Sequence, residues 1–283
     1  MASVKLIARR VAVLLLCGLL CVMLARYAPG FDVDEREWDQ RLGEGSRATL
    51  QAARAEQGAV GVYYLRYLWR MAHGDFGLSQ SFGTPVRELI RDRLPATLRM
   101  LVSGWLAGTL AGLGLAALVT TQRTLGLDMV AGCVSAAILS IPSGLLGIAT
   151  VLLSTNAAAG IAVYVVPRVY EFAAPLFAES GKSDYLAAAR ARGIPTVRLL
   201  IYYRLPAVAA PMAAVLAVTF CGAFGAAVPI EMVTDTPGVG QLAWKAALGR
   251  DIPLLLAVTF LAGALTIMAN TLADLVLAGR SRA

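Results

Sequence analysis

Long uncharged apolar stretches alternate along this chain with short charged breaks. No charged residue falls between Met100 and Gln122, Met129 and Pro167, Leu205 and Ile230, or Ile252 and Ala273. A bilayer core of about 30 Å is crossed by roughly 20 apolar helical residues. Three of these stretches therefore predict one span each, over Leu98–Val119, Leu205–Pro229 and Ile252–Leu277. The stretch from Met129 is too long for one span. It predicts two, Met129–Leu153 and Gly160–Ala178, joined by a turn at Ser154, Thr155 and Asn156. A sixth helix, Leu6–Ala28, is expected at the N-terminus, where Lys5, Arg9 and Arg10 precede apolar residues 11–25. A cleaved signal peptide would begin in the same way. Met23, Leu24, Arg26 and Tyr27 are poor cleavage-site residues, so an uncleaved span is the expectation. The fold class is thus an all-α membrane protein of about six transmembrane helices.

Composition agrees with that pattern. Of 283 residues, 58% are hydrophobic and 15% charged, against about 45–50% and about 25% in soluble domains. A soluble core would have to bury four such helices in one small protein. The pI of about 9.5 invites a nucleic-acid reading, but the basic residues do not cluster with aromatics on one surface. Cys17, Cys21, Cys133 and Cys221 all lie in apolar segments without a CxxC pair, which predicts inert core thiols. His73 is the only histidine and has no partner cluster in sequence, so no catalytic or metal site is expected.

Charge distribution sets the predicted orientation. The N-terminus, the link at 120–128, the loop at 179–204 and the C-terminal tail share one side of a six-span protein. That side carries Lys5, Arg9, Arg10, Arg123, Lys182, Arg190, Arg192, Arg198, Arg204, Arg280 and Arg282 against Asp128, Glu179 and Asp184. The positive-inside rule then makes both termini cytoplasmic. Three regions follow: an N-terminal helix (1–29), a nearly neutral extracytoplasmic region (30–97), and a core with five further spans (98–283). Within the second region, VYYLRYLWRM at 62–71 has the spacing of an interfacial helix. In the fourth span, Arg168 and Glu171 are three apart and could pair or face a pore.

The 179–204 loop separates the functional options. Ala187–Arg192 is a run of strong helix formers. Gly193 can end it in a left-handed cap, Ile194-Pro195 turns the chain, and Thr196–Tyr203 begins a second helix before Leu205-Pro206 at the membrane entry. Such a helix–glycine–helix element would form a rigid protrusion whose small alanines admit another protein's surface. The bland alternative is a basic loop against lipid headgroups.

These residues resemble the coupling-helix signature of permease subunits of bacterial binding-protein-dependent ABC importers. Ala188, Ala189 and Gly193 match it, and Leu205-Pro206 falls at the expected distance; Tyr203 stands where an aliphatic residue is usual. Asp184, Tyr185 and Ala189-Arg190-Ala191-Arg192-Gly193 are similar to the dipeptide, oligopeptide and nickel branch. Gly74-Asp75-Phe76-Gly77, Ser79, Pro85-Val86 and Arg93–Leu98 resemble the outer segment of that branch's first permease. Glu231, Pro237-Gly238-Val239-Gly240 and Arg250-Asp251-Ile252-Pro253 resemble its last outer loop, and Asn270 and Asp274 its last helix.

The resemblance implies a bacterial inner-membrane permease that lines a pathway for peptides or a similar small solute. It implies as partners a homologous second permease, two ATP-binding subunits at the 179–204 loop, and an extracytoplasmic solute-binding protein. ATP would be bound by those partners, leaving this chain without a cofactor. Pro237–Gly240 is expected to form a tight outer turn, and Glu231 and Asp251 are read as exposed loop residues rather than ligand groups. No GxxxxGK[ST] motif occurs here. An ion-coupled secondary transporter would usually carry intramembrane carboxylates and inverted repeats; within the spans only Glu171 and Asp274 are candidates. An intramembrane hydrolase would need a base near Ser140 or Ser143, and none is visible.

Overall fold

The computed structural model describes residues 2–27, 60–122 and 125–280. Asp32, Asp34, Glu35, Glu37, Asp39, Glu44 and Glu56 of the polar segment, together with Arg123, Ser281 and Arg282, lie outside the described residues. Within them, helices carry nearly all the structure, and no named strand occurs. Five helices are long and apolar enough to cross a membrane, and a bent pair would supply a sixth crossing.

The chain divides into two units. The first comprises residues 1–93 and 242–264. Helix α1 (Ala2–Tyr27) and helix α2 (Val60–Ala72) pack together in it. Val22, Tyr64, Tyr67, Ile252, Leu256 and Phe260 make its core. The aromatic spacing of α2 turns Tyr64 and Tyr67 inward. The Tyr64 hydroxyl donates to the Leu15 carbonyl at 2.5 Å and that of Tyr67 to the Pro253 carbonyl at 3.2 Å, so each ring is buried with its polar tip satisfied. The expected interfacial helix is therefore partly a core element, while Leu65 and Trp69 remain on its exposed face.

The second unit comprises residues 94–241 and 265–283. Helix α3 (Val86–Gln122) begins well before the predicted Leu98 and runs through Pro95. Proline removes the N–H that would bond the Arg91 carbonyl. Arg91 and Pro95 are exposed, so solvent can serve that carbonyl and the helix continues. The predicted third span is not one helix. It breaks into α4 (Leu125–Leu139) and α5 (Ser143–Leu152), bent by 101°. Pro142 has no N–H, adopts ψ 141° before α5, and disfavours helical geometry at Ile141. Ser154 then takes φ +52° to close α5, and Asn156 caps helix α6 (Ala157–Ser180) by accepting from the Ala159 N–H at 3.0 Å. Pro167 and Pro175 lie inside α6 without ending it, as neighbouring helices permit in membrane proteins.

Close packing of α3 on α6 depends on three glycines four residues apart. A Cβ on Gly104, Gly108 or Gly112 would fall 2.5, 2.7 or 2.8 Å from the carbonyl oxygens of Ala158, Ala162 and Val166. Small residues at this spacing let helix backbones approach in a lipid environment, where packing replaces the hydrophobic drive. Gly108→Leu is expected to force the pair apart at a cost of about 1–3 kcal/mol, seen as a lower melting temperature in detergent. Gly114, where a Cβ meets nothing within 4 Å, is the control that should tolerate the same change.

Two sequence expectations need correction here. Cys17 and Cys133 are exposed, not core thiols, while Cys21 and Cys221 are half-buried and all four are free. Helical spacing places the first two on outward faces of apolar segments. Arg168 does not pair with Glu171: its guanidinium lies 3.5 Å over the Tyr164 ring and donates to the Tyr164 carbonyl at 2.6 Å.

Candidate functional site

The segment after α6 builds the protrusion that the sequence predicts. Helix α7 (Asp184–Ala191) carries Asp184 in its first turn and Arg190 in its last, the charge order that suits the helix dipole. Gly193, at φ +73°, ends α7 in a Schellman motif. Its N–H bonds the Arg190 carbonyl at 2.9 Å, and the Ile194 N–H reaches back to Ala189 at 3.4 Å. Pro195 starts helix α8 (Thr196–Leu199), and a wide π turn at Leu200–Arg204 leads into helix α9 (Leu205–Val233). Leu186, Ala189 and Leu199 form a private core with Ile194 and Tyr203. The Tyr185 and Tyr203 rings stack with centroids 6.5 Å apart.

The outer face of this hairpin is apolar and basic at once. Asp184, Tyr185, Ala188, Arg190, Arg192, Gly193, Val197, Arg198, Tyr202, Leu205 and Pro206 are exposed, whereas Ala189 is buried beneath them. A Cβ on Gly193 would meet nothing within 4 Å. Backbone geometry, not crowding within this chain, therefore requires glycine there. Beside the hairpin base, a cleft of about 880 Å³ opens among α3, α4 and α6, lined by Asp128, Tyr170, Glu171, Lys182, Arg190 and Arg204 among others.

Arg204 is the residue that sequence reading misplaced. Counted there as one loop cation among five, it is 5% exposed. Its Nη2 donates to the Phe177 carbonyl and to Thr120 Oγ1 at 3.3 Å, and its Nη1 to Thr121 Oγ1 at 3.4 Å. The stem needed for this reach follows the π turn, which no residue pattern announces.

Glu231 and Asp251 are also corrected: both are fully buried, not exposed. Glu231 belongs to the last turns of α9, and the expected loop from Glu231 to Asp251 contains helix α10 (Val239–Leu248). The Glu231 carboxylate accepts from the Gly240 N–H at 2.7 Å, the Gln241 N–H at 3.1 Å and the Thr97 hydroxyl at 2.7 Å. Thr97 in turn accepts from the Val239 N–H at 2.8 Å. Together they satisfy three of the orphan donors that open α10. Gly238 and Gly240 are glycine because a Cβ on either would run into this carboxylate or, for Gly240, into Val228 Cα at 2.7 Å. Pro237 stays exposed beside them.

In the first unit, Arg250 at φ +51° closes α10, and Asp251 opens helix α11 (Ile252–Arg280). Asp251 accepts from the Leu254 N–H at 3.2 Å, from the Ser81 N–H at 3.0 Å, and from the Ser79 hydroxyl. Nearby, Asp75 pairs with Arg70 at 2.7 Å and accepts from the Gly77 N–H at 2.9 Å. That N–H, and then the guanidinium, hold the Asp75 carboxyl below the usual carboxylate range. His73 is exposed, and its Nδ1–H donates to the Trp69 carbonyl at 2.8 Å. The motif residues of both segments are thus helix caps and turn formers.

Comparison with known proteins follows the same residues. Residues 108–279 match the family described as binding-protein-dependent transport system inner membrane component. The oligopeptide transport system permease protein AppB of Bacillus subtilis is 25% identical over 297 residues, spanning 95% of this chain and 94% of its own. The oligopeptide transport system permease protein OppB of Haemophilus influenzae is 26% identical over 76% of this chain and 77% of its own. Its namesake in Escherichia coli K12 is 23% identical over 71% and 73%. With the family matched across the hairpin and the bundle around it, this chain belongs to the binding-protein-dependent transport system inner membrane components, as a multi-pass permease subunit of an ABC importer.

Proposed function

We propose that the chain is the first-type permease of a peptide importer, forming the pathway jointly with a homologous second permease. Two separate ATP-binding subunits would dock on the 179–204 hairpin, and an extracytoplasmic binding protein would deliver the solute from the opposite side. Asp184, Tyr185, Ala188, Arg190 and Gly193 would face the ATPase. Ala189, Leu205 and Pro206 would hold the hairpin's shape. No catalysis, metal or cofactor is assigned to this chain; ATP hydrolysis is the partners' work.

The observation that carries this reading is the hairpin itself. It has a private core, a glycine-capped turn and an exposed apolar face with cations around it. An exposed apolar surface of that kind marks a contact site for a protein or the membrane, and the rigid private core beneath it supports the protein reading. Peptides are the solute because the three relatives above are named for oligopeptide transport. Glu231, Gly238 and Gly240, and separately Arg250 and Asp251, would brace the outer-side helix α10 rather than touch solute.

Orientation and transport are tested together. In a cysteine-free background, Arg87→Cys should react with an impermeant thiol label on intact cells, and Arg192→Cys only after lysis; the reverse result would overturn the sidedness. With its four partners in proteoliposomes, the chain should support ATP-driven uptake of radiolabelled tetra-alanine. Uptake that persists without ATP but follows an ion gradient would favour a secondary carrier instead.

A further inference from the structure

The hairpin meets the bundle at a narrow base. The chain enters from the last turn of α6 and leaves through the π turn at Leu200–Arg204 into α9. The exit stays helical from Thr196 into α9, so the freedom of the hairpin to flex against the bundle lies in the short turn at 181–183 between α6 and α7. Arg204 removes this freedom. Its guanidinium reaches from the helical exit to the Phe177 carbonyl, which also accepts from the Gly181 N–H at 3.1 Å in the closing turn of α6. The same group contacts Thr120 and Thr121 at the end of α3 and lies 5.5 Å from the Phe177 ring centroid.

We propose that Arg204 is a positioning residue for transport, clamping the hairpin's entrance, its exit and the end of α3 into one joint. The residue type fits the task. A planar guanidinium offers donors in several directions at once, and at 5% exposure its Nη1 and Nη2 groups are received by hydroxyl and carbonyl oxygens. The π turn serves it by displacing residue 204 from the register an α-helix would impose, a geometry frequent at functional sites. Movement of an ATPase against the exposed face is thereby delivered to α3, α6 and α9 together. This rests on the hairpin being the ATPase contact. If it is not, Gly193→Trp leaves uptake unchanged, a measurement that does not involve Arg204.

The test uses the complete importer in proteoliposomes and reads the ratio of ATP hydrolysis with and without the liganded binding protein. Arg204→Met should lower that ratio about tenfold, within the usual range of coupling energies. Arg204→Lys should recover part of it, since an ammonium can still donate to the Phe177 carbonyl. A wild-type ratio in Arg204→Met, or equal failure of Lys and Met, would overturn the proposal. Should Arg204→Met not assemble, Thr120→Val with Thr121→Val removes the α3 attachment alone. A lowered ratio there supports the clamp, and an unchanged one refutes it.

Discussion

Glu231→Ala should be the most destabilising single substitution in this chain. Glu231 is fully buried and its carboxylate is the shared acceptor for the Gly240 and Gln241 N–H groups and the Thr97 hydroxyl. Alanine leaves all three donors without that oxygen in a site closed to water. Each stranded donor costs about 1–3 kcal/mol, so the total loss is expected at about 3 kcal/mol or more. The start of α10 would come free with it, because Thr97 would lose the partner that orients it toward the Val239 N–H. Glu231→Gln keeps one acceptor oxygen and should lie between the two. Thermal unfolding of the purified protein in detergent reads the order wild type, Gln, Ala. An Ala variant that melts with wild type would show that α10 is held by other contacts.

Gly193→Trp should abolish uptake while leaving the protein in the membrane at near-normal level. A Cβ at residue 193 meets no atom of this chain within 4 Å, so the new side chain starts from open space on the hairpin's exposed face. The left-handed backbone at φ +73° costs a non-glycine residue roughly 1–2 kcal/mol, a strain confined to the end of α7. What changes is the surface: a large ring stands where α7 and the Ile194-Pro195 turn present a smooth face. Gly193→Ala separates the two effects, since it pays the same backbone strain without the bulk. It should retain much of the uptake that Trp loses. Normal uptake by the Trp variant would remove the hairpin from the ATPase contact.

Much of this protein is legible in its sequence. Uncharged runs predicted the membrane helices, because lipid demands apolar side chains and internally satisfied backbone over a fixed length. Gly193, Pro195 and the alanine run predicted the hairpin, because each acts on the backbone within a few residues of itself. The comparisons agree with the family that those local motifs suggested.

Local signals failed where the deciding partner was distant in sequence. Glu231 and Asp251 looked like exposed loop carboxylates, yet Thr97 lies far upstream of the first and Ser79 far upstream of the second. Pro95 lies just before the span expected from Leu98, and Pro142 inside the one expected over Met129–Leu153. Exposure of the chain around Arg91 and Pro95 let the first helix continue, and at Pro142 the chain turned by 101°. Arg204 looked like another cytoplasmic cation. The sequence by itself determined the all-α membrane class, the apolar segments and the hairpin, since composition and short-range backbone chemistry suffice for them. The tertiary structure alone decided which charges are buried and which helix ends they hold. A charge is sustainable in the interior only where folding brings its hydrogen-bond partners from remote parts of the chain.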